Sequence, residues 1–160
     1  MQAIEVVIES PRATQAKYKY DPANKLFNLK RLLPLGMVFP YDFGFIPGTV
    51  GEDGDPLDAL VLSEFASFTG AHLSCRIIGA LKAIQGKEGK KGVRNDRFFC
   101  VPEGSITYAL IEAIEQLGKV HNDQLEEFFI NYNKVDGKVF TCLGIVDAEK
   151  AYKMIKKARE

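Results

Sequence analysis

Two stretches, Leu57-Asp58-Ala59-Leu60-Val61-Leu62 and Leu73-Ser74-Cys75-Arg76-Ile77-Ile78-Gly79-Ala80-Leu81-Lys82-Ala83-Ile84, decide the fold. Both are strongly apolar and rich in leucine or β-branched residues, the composition of buried strands. Upstream, Ile4 to Ile8 is a β-branched run, and Lys17-Tyr18-Lys19-Tyr20 alternates before the turn formers Asp21-Pro22. Leu26 to Leu33 reads as a strand paired with the preceding one through a Pro22–Lys25 turn. Downstream, Gly86 to Gly92 is polar and rich in Gly and Lys, an exposed hairpin tip, and Arg97 to Val101 resumes the strand pattern. Pro34, Pro40, Gly44, Pro47, Gly48, Gly51, Gly54 and Pro56 punctuate this region. Short strands so interrupted predict a small barrel or sandwich.

The last third changes period. Tyr108, Ile111, Ala113, Ile114 and Leu117 fit one helical face ending near Gly118. Leu125, Phe128, Phe129 and Tyr132 follow at helical spacing, with Asn122 as the expected N-cap. Val139 to Val146 reads as one more strand, interrupted at Gly144, and Asp147 then caps a final helix with a basic end. The expectation is an α+β chain, mainly β, with its helices late in sequence and residues 1–160 forming a single domain.

With 160 residues, 46% hydrophobic and 26% charged, the composition is that of a globular protein able to bury a core without disulfides. Twenty-one basic residues balance 21 acidic ones, so any electrostatic function must come from local clustering. No segment reads as a signal peptide or membrane span. Cys75, Cys100 and Cys142 lack zinc-site spacing and read as buried thiols of a reducing compartment, the cytoplasm. His72 and His121 have no metal-binding partners nearby and are expected at the surface.

The chemistry concentrates in Glu52-Asp53-Gly54-Asp55-Pro56-Leu57-Asp58. Four carboxylates repel one another, and no Lys or Arg lies between Leu35 and Arg76 to offset them. A hard divalent ion takes oxygen ligands of this kind; a solvated acidic turn uses the same residues. A calcium EF-hand is excluded, because its glycine position is Asp58 and the flanks are not helices. Lys17, Lys19, Lys30 and Arg31 supply positive charge on earlier strands. Singly each reads as a solvated strand face; together with a metal they would suit a polyanionic phosphate.

The run Asp53-Gly54-Asp55-Pro56-Leu57-Asp58-Ala59-Leu60-Val61 resembles the signature of the soluble family I inorganic pyrophosphatases. Ile8-Glu9-Ser10-Pro11, Ala16-Lys17-Tyr18, Lys30-Arg31 and Gly44-Phe45-Ile46-Pro47 extend the similarity, as do Arg76 to Leu81 and Phe128 to Tyr132. The resemblance implies a distorted five-stranded barrel of the OB type with flanking C-terminal helices. It also implies Mg²⁺-dependent hydrolysis of pyrophosphate to two phosphates, with Mn²⁺ or another divalent ion as a substitute. Position by position, Asp53 and Asp58 become metal ligands, Asp55 the base beside the attacking water, and Glu9 an accessory metal carboxylate. Lys17, Arg31, Arg97 and Tyr132 become phosphate ligands, and Asp96 a further metal ligand unless Asn95 takes its place. The family's members commonly form homo-oligomers.

The chain departs from that pattern. Lys19 stands where an acid is expected, Phe39 and Phe43 where phenols are, Gln85 for an aspartate, Arg97 for a lysine and Asn133 for a lysine. These losses leave an alternative reading, a degenerate member that binds metal or phosphate with little turnover. A nucleic-acid-binding OB module is disfavoured by the acidic loop; Phe39, Tyr41, Phe43 and Phe45 read as core, not as a stacking platform. No membrane partner is expected.

Overall fold

The computed structural model describes residues 1–159. Five strands close on themselves: β1 (Ile4–Ser10), β4 (Asp42–Ile46), β5 (Leu57–Val61), β6 (His72–Lys87) and β8 (Arg97–Pro102). β1 pairs with β4, β4 with β5, β5 with β8, β8 with β6, and β6 returns to β1. All these pairings are antiparallel except β5–β8. The ring is the distorted five-stranded OB-type barrel that the resemblance implies. β2 (Ala16–Asp21) and β3 (Leu26–Leu32) form a separate hairpin, while β7 (Val93–Arg94) and β9 (Lys138–Val146) extend the far end of β6.

The longer barrel strands divide their side chains between two cores. On β5, Ala59 and Val61 join Ile4, Val6 and Ile8 in a cluster that includes Ala151 and Ile155 of α2 (Ala148–Lys157). Leu60 instead packs with Phe39, Phe43, Leu125 and Phe129, the last two from α1 (Lys119–Lys134). Period-2 alternation thus gives the sheet two apolar faces, one packed with α2 and the other with α1.

β4 is the barrel strand that the sequence reading did not single out. It is five residues long and flanked by Pro40 and Pro47. Gly44 is required here: a Cβ at this position would lie 2.0 Å from the Val7 carbonyl oxygen across the β1–β4 seam.

The expected helix over residues 108–117 does not form; only Ile114–Leu117 makes a single 3₁₀ turn. Arg76, projecting from β6, donates to the carbonyls of Tyr108 at 3.0 Å and Ile111 at 2.7 Å. Those acceptors are thereby satisfied outside a helix. α1 also starts a turn earlier than expected, after Gly118, and Asn122 lies inside it with its amide donating to the Ile114 carbonyl at 3.0 Å. Asp147 does cap α2, accepting from the Lys150 amide at 2.8 Å. β9 runs through Gly144, with the irregularity taken up as a register shift against Lys82/Ala83. The Gly86–Gly92 segment is the expected hairpin tip, between β6 and β7. Cys75 and Cys100 are buried free thiols and Cys142 is partly buried. His72 is exposed and pairs with Glu5, but His121 is half-buried against the Tyr41 hydroxyl at 2.7 Å.

Candidate active site

A cavity of about 430 Å³ opens between the β2–β3 hairpin, the acidic loop and the end of α1. Its lining holds the carboxylates of Glu9, Asp53, Asp55, Asp58 and Asp136 and the cations of Lys17, Lys19, Lys87, Lys138 and Arg97. The two signs are interleaved, in pairs such as Lys19–Asp55, Arg97–Asp58 and Lys138–Asp136.

The acidic loop is shaped by its own backbone. Gly51 donates to the Asp55 carbonyl at 2.8 Å and Gly54 to the Gly51 carbonyl at 3.1 Å. The Asp53 carboxylate accepts from the Asp55 amide at 3.1 Å. Gly54 sits at φ 85°, a left-handed conformation that glycine adopts without steric cost. Asp58 follows on β5, directly opposite Arg97 in the parallel β5–β8 register. Their side chains leave the same face and meet at 2.8 Å.

Arg97 is 2% exposed. Its Nη1 also donates to Asn95 Oδ1 at 2.6 Å and to the Asn95 carbonyl at 2.9 Å, and its Nη2 to Gln85 Oε1 at 2.8 Å. The rings of Phe129 and Phe140 flank the guanidinium at 5.1 and 5.3 Å. Two neutral amides, at Gln85 and Asn95, thus orient a buried cation onto a carboxylate. Sequence reasoning read Gln85 as a lost acid and Asn95 as the alternative to Asp96 at the metal; their role as holders of Arg97 has no sequence motif.

Lys19 reaches Asp55 across the cavity mouth at 2.6 Å, in a half-exposed pair. Burial works against its charge, but the Asp55 hydrogen bond and charge outweigh it and raise the lysine's pKa. Lys17 lies deeper, 5.3 Å from the Tyr132 ring centroid, and its pKa is lowered by burial and by neighbouring Arg31. Burial pushes the Tyr132 phenol up to about 12, so its hydroxyl stays a neutral donor near pH 7. Glu9 anchors β2 by accepting from the Tyr20 amide at 2.7 Å. Burial raises its carboxyl to about 7, with that hydrogen bond opposing the shift. Burial also raises the Asp58 pKa against the pull of Arg97.

Most of the sequence-derived site residues converge here: Glu9, Lys17, Asp53, Asp55, Asp58, Arg97 and Tyr132 all line the cavity. Arg31 is set behind it. Its guanidinium covers the Tyr132 ring at 4.8 Å, donates to the Tyr132 carbonyl at 3.3 Å and approaches Asp136 at 3.7 Å. Asp96 is turned away. It accepts from the Ala83 amide at 2.9 Å and from Arg94 at 2.8 Å, lining a separate recess while Asn95 faces the cavity. Asp136, Lys138 and Lys87 are cavity residues that the sequence reading missed. They flank strand ends and gave no signal beyond ordinary turn composition.

The donors available to a metal are all oxygens, Asp53 and Asp58 foremost, which suits a hard divalent ion. Among the described residues, no three acidic, His or Cys side chains form a ready-made metal cluster. The donor chemistry fits one ion held by Asp53 and Asp58, with the remaining coordination left to water or ligand. It does not fit a carboxylate cage.

The barrel carries one cavity in which oxygen donors suited to a hard divalent ion stand beside cations suited to phosphate oxygens. The sequence profile of the family described as Inorganic pyrophosphatase matches residues 6–160. An inorganic pyrophosphatase of Synechocystis is 36% identical over 146 residues, covering 91% of this chain and 83% of that protein. One from Methanosarcina acetivorans is 34% identical, covering 99% and 91%. The crystal structure of inorganic pyrophosphatase from Thermus thermophilus superposes with a TM-score of 0.89 at 30% identity, covering 99% of this chain and 90% of that one. The chain belongs to the inorganic pyrophosphatase family. These relatives lend no support to the degenerate-binder alternative.

Proposed function

We propose that this chain, acting as a single domain, hydrolyses inorganic pyrophosphate to two phosphates with Mg²⁺, for which Mn²⁺ can substitute. The observation that carries the reading is the convergence of Asp53, Asp55 and Asp58 with Lys17, Lys19, Arg97 and Tyr132 in one cavity. Asp53 and Asp58 would hold the divalent ion. When bound, that ion neutralises phosphate charge and makes water more acidic. Lys17 and Lys19 take up phosphate oxygens as charge-assisted donors, and the Tyr132 hydroxyl donates as a neutral group. Arg97 acts from beneath, fixing Asp58 and adding positive potential. Arg31 positions Tyr132 through its ring and carbonyl contacts.

Asp55 is the proton acceptor, and it becomes free for that role only when Lys19 leaves it. Glu9 secures β2, and with it both lysines, through the Tyr20 amide. Free buried thiols accord with a cytoplasmic setting. Exposed Leu29, Leu32 and Leu35 accord with a homo-oligomer. The test is phosphate release from pyrophosphate across a Mg²⁺ titration of the purified chain. Metal-dependent release is expected; its absence with every divalent ion tried would overturn the reading.

A further inference from the structure

The reading above gives roles to Lys17, Lys19, Arg97 and Tyr132 and leaves two cavity cations without one, Lys87 and Lys138. Lys87 is the last residue of β6, Lys138 the first of β9, and the two are direct partners in that antiparallel pair. Residues directly opposite leave the same face of the sheet, so two ammonium groups stand side by side at the cavity rim. Like charges placed this way are destabilising, and an anion between them removes the cost. Asp136 lies 3.5 Å from Lys138, but it also serves Arg31 at 3.7 Å. Among the described residues, Lys87 has no carboxylate partner. The pair is continuous with the cavity floor: Gln85, two residues before Lys87 on the same face of β6, holds Arg97 at 2.8 Å. Cationic groups therefore continue outward from Arg97, with Lys87 about 6.5 Å beyond Gln85 along the strand. The cavity, about 430 Å³, is in the range that encloses drug-sized ligands, more than a diphosphate fills.

Resting on the reading above, we propose that Lys87 and Lys138 form a further phosphoryl subsite, so that the chain also takes inorganic tripolyphosphate, with one terminal phosphoryl group between the rim lysines and the other end of the anion beside Lys17 and Tyr132. A free terminal phosphoryl group suits this pair better than an esterified one, because it offers three oxygens and more charge. The chemistry is that of the shorter substrate. A water oxygen bonds to the inner terminal phosphorus, the P–O bond to the remaining diphosphate breaks, and the water's proton goes to Asp55. Tripolyphosphate and water thus give phosphate and pyrophosphate, and the pyrophosphate is the chain's own substrate.

The test compares imidodiphosphate with diimidotriphosphate, analogues with nitrogen bridges, titrated calorimetrically into the whole chain at saturating Mg²⁺. The triphosphate analogue is expected to bind wild type about tenfold more tightly than the diphosphate one, and Lys87→Gln/Lys138→Gln to lose that advantage. In phosphate release, the double variant should raise KM about tenfold for tripolyphosphate and leave KM for pyrophosphate within about twofold. Because the substitutions remove a repulsion, the variant should melt no lower than wild type. No preference for the triphosphate analogue in wild type, or equal weakening of both analogues in the variant, overturns the proposal. ATP binding as tightly as the triphosphate analogue would place an ester at the rim and overturn it too. Release from pyrophosphate without a triphosphate preference would sink the subsite and leave the hydrolase reading standing. A rim-dependent preference with no release from either substrate, under any divalent ion, would do the reverse.

Discussion

Replacing Arg97 by Met tests how the cavity floor is held together. The substitution keeps an unbranched apolar stem but removes the guanidinium that lies between Phe129 and Phe140. It removes the counter-ion of Asp58, along with the donors that satisfy Asn95 Oδ1 and Gln85 Oε1. Breaking a buried ion pair from one side typically costs about 3–5 kcal/mol, because a charge is stranded. Asp58 retains 22% side-chain exposure, and both amides border a water-accessible cavity, so the lower end, about 3 kcal/mol, is expected. At roughly 2–4 °C per kcal/mol for a chain of this size, the melting temperature should fall by about 6–12 °C.

Lys19→Met removes the same formal charge from a pair of nearly the same length, yet both partners are about half exposed. That change should cost no more than about 1 kcal/mol. Denaturant unfolding of both variants in metal-free buffer measures the contrast. Adding Asp58→Asn to Arg97→Met removes the stranded charge and should recover most of the loss, a coupling of about 2 kcal/mol or more. An Arg97→Met cost below about 1 kcal/mol, or a double variant no more stable than the single one, would refute the account of Arg97 as the fixed cation of the site.

Three further outcomes are expected. Asp55→Asn should lower phosphate release by about 10²–10⁴-fold while leaving Mn²⁺ affinity at Asp53 and Asp58 within a few-fold; unchanged turnover would remove Asp55 from the base role. Glu64, whose carboxylate accepts from the Ile106 amide at 2.8 Å and the Ser105 hydroxyl at 2.7 Å, has its pKa lowered from 4.5 to about 2. A depressed carboxyl pKa stabilises the fold above about 4.5 and loses that contribution as pH falls to about 2. The stability gap between wild type and Glu64→Gln should therefore close over that window in acid unfolding, and a constant gap would contradict it. Gly44→Ala forces a Cβ into the Val7 carbonyl at 2.0 Å; it should destabilise by more than about 2 kcal/mol, and a neutral effect in thermal unfolding would show that the seam can open freely.

The parts of the fold legible in the sequence are those whose partners impose no exception on the pattern. β1, β5 and β6 are β-branched or leucine-rich runs, β8 is an aromatic and apolar one, and all four form where composition predicts. β4 was obscured by the glycine that lets it approach β1, since Gly44 reads as punctuation until the Val7 carbonyl is seen beside it. Residues 108–117 carried a helical spacing that a single distant side chain overrides. Arg76 satisfies the carbonyls of Tyr108 and Ile111 from more than 30 residues away, and no local rule contains that information.

The site was legible wherever its residues lie close in sequence, as in Asp53 to Asp58, or repeat with strand period, as in Lys17 and Lys19 on β2. The Lys19–Asp55 contact, 36 residues apart, depends on where the hairpin folds over the loop. The choice between Asn95 and Asp96, in the short extended link between β7 and β8, follows the alternation that continues back from Arg97. Successive side chains on extended backbone point to opposite faces. An inward Arg97 therefore brings Asn95 inward with it and sends Asp96 outward, to Arg94. Arg97 and Asp96, as sequence neighbours on extended backbone, do not share one cavity. The outward turn of Asp96 leaves only neutral amides around the guanidinium, at Gln85 and Asn95, so the carboxylate that Arg97 neutralises is Asp58.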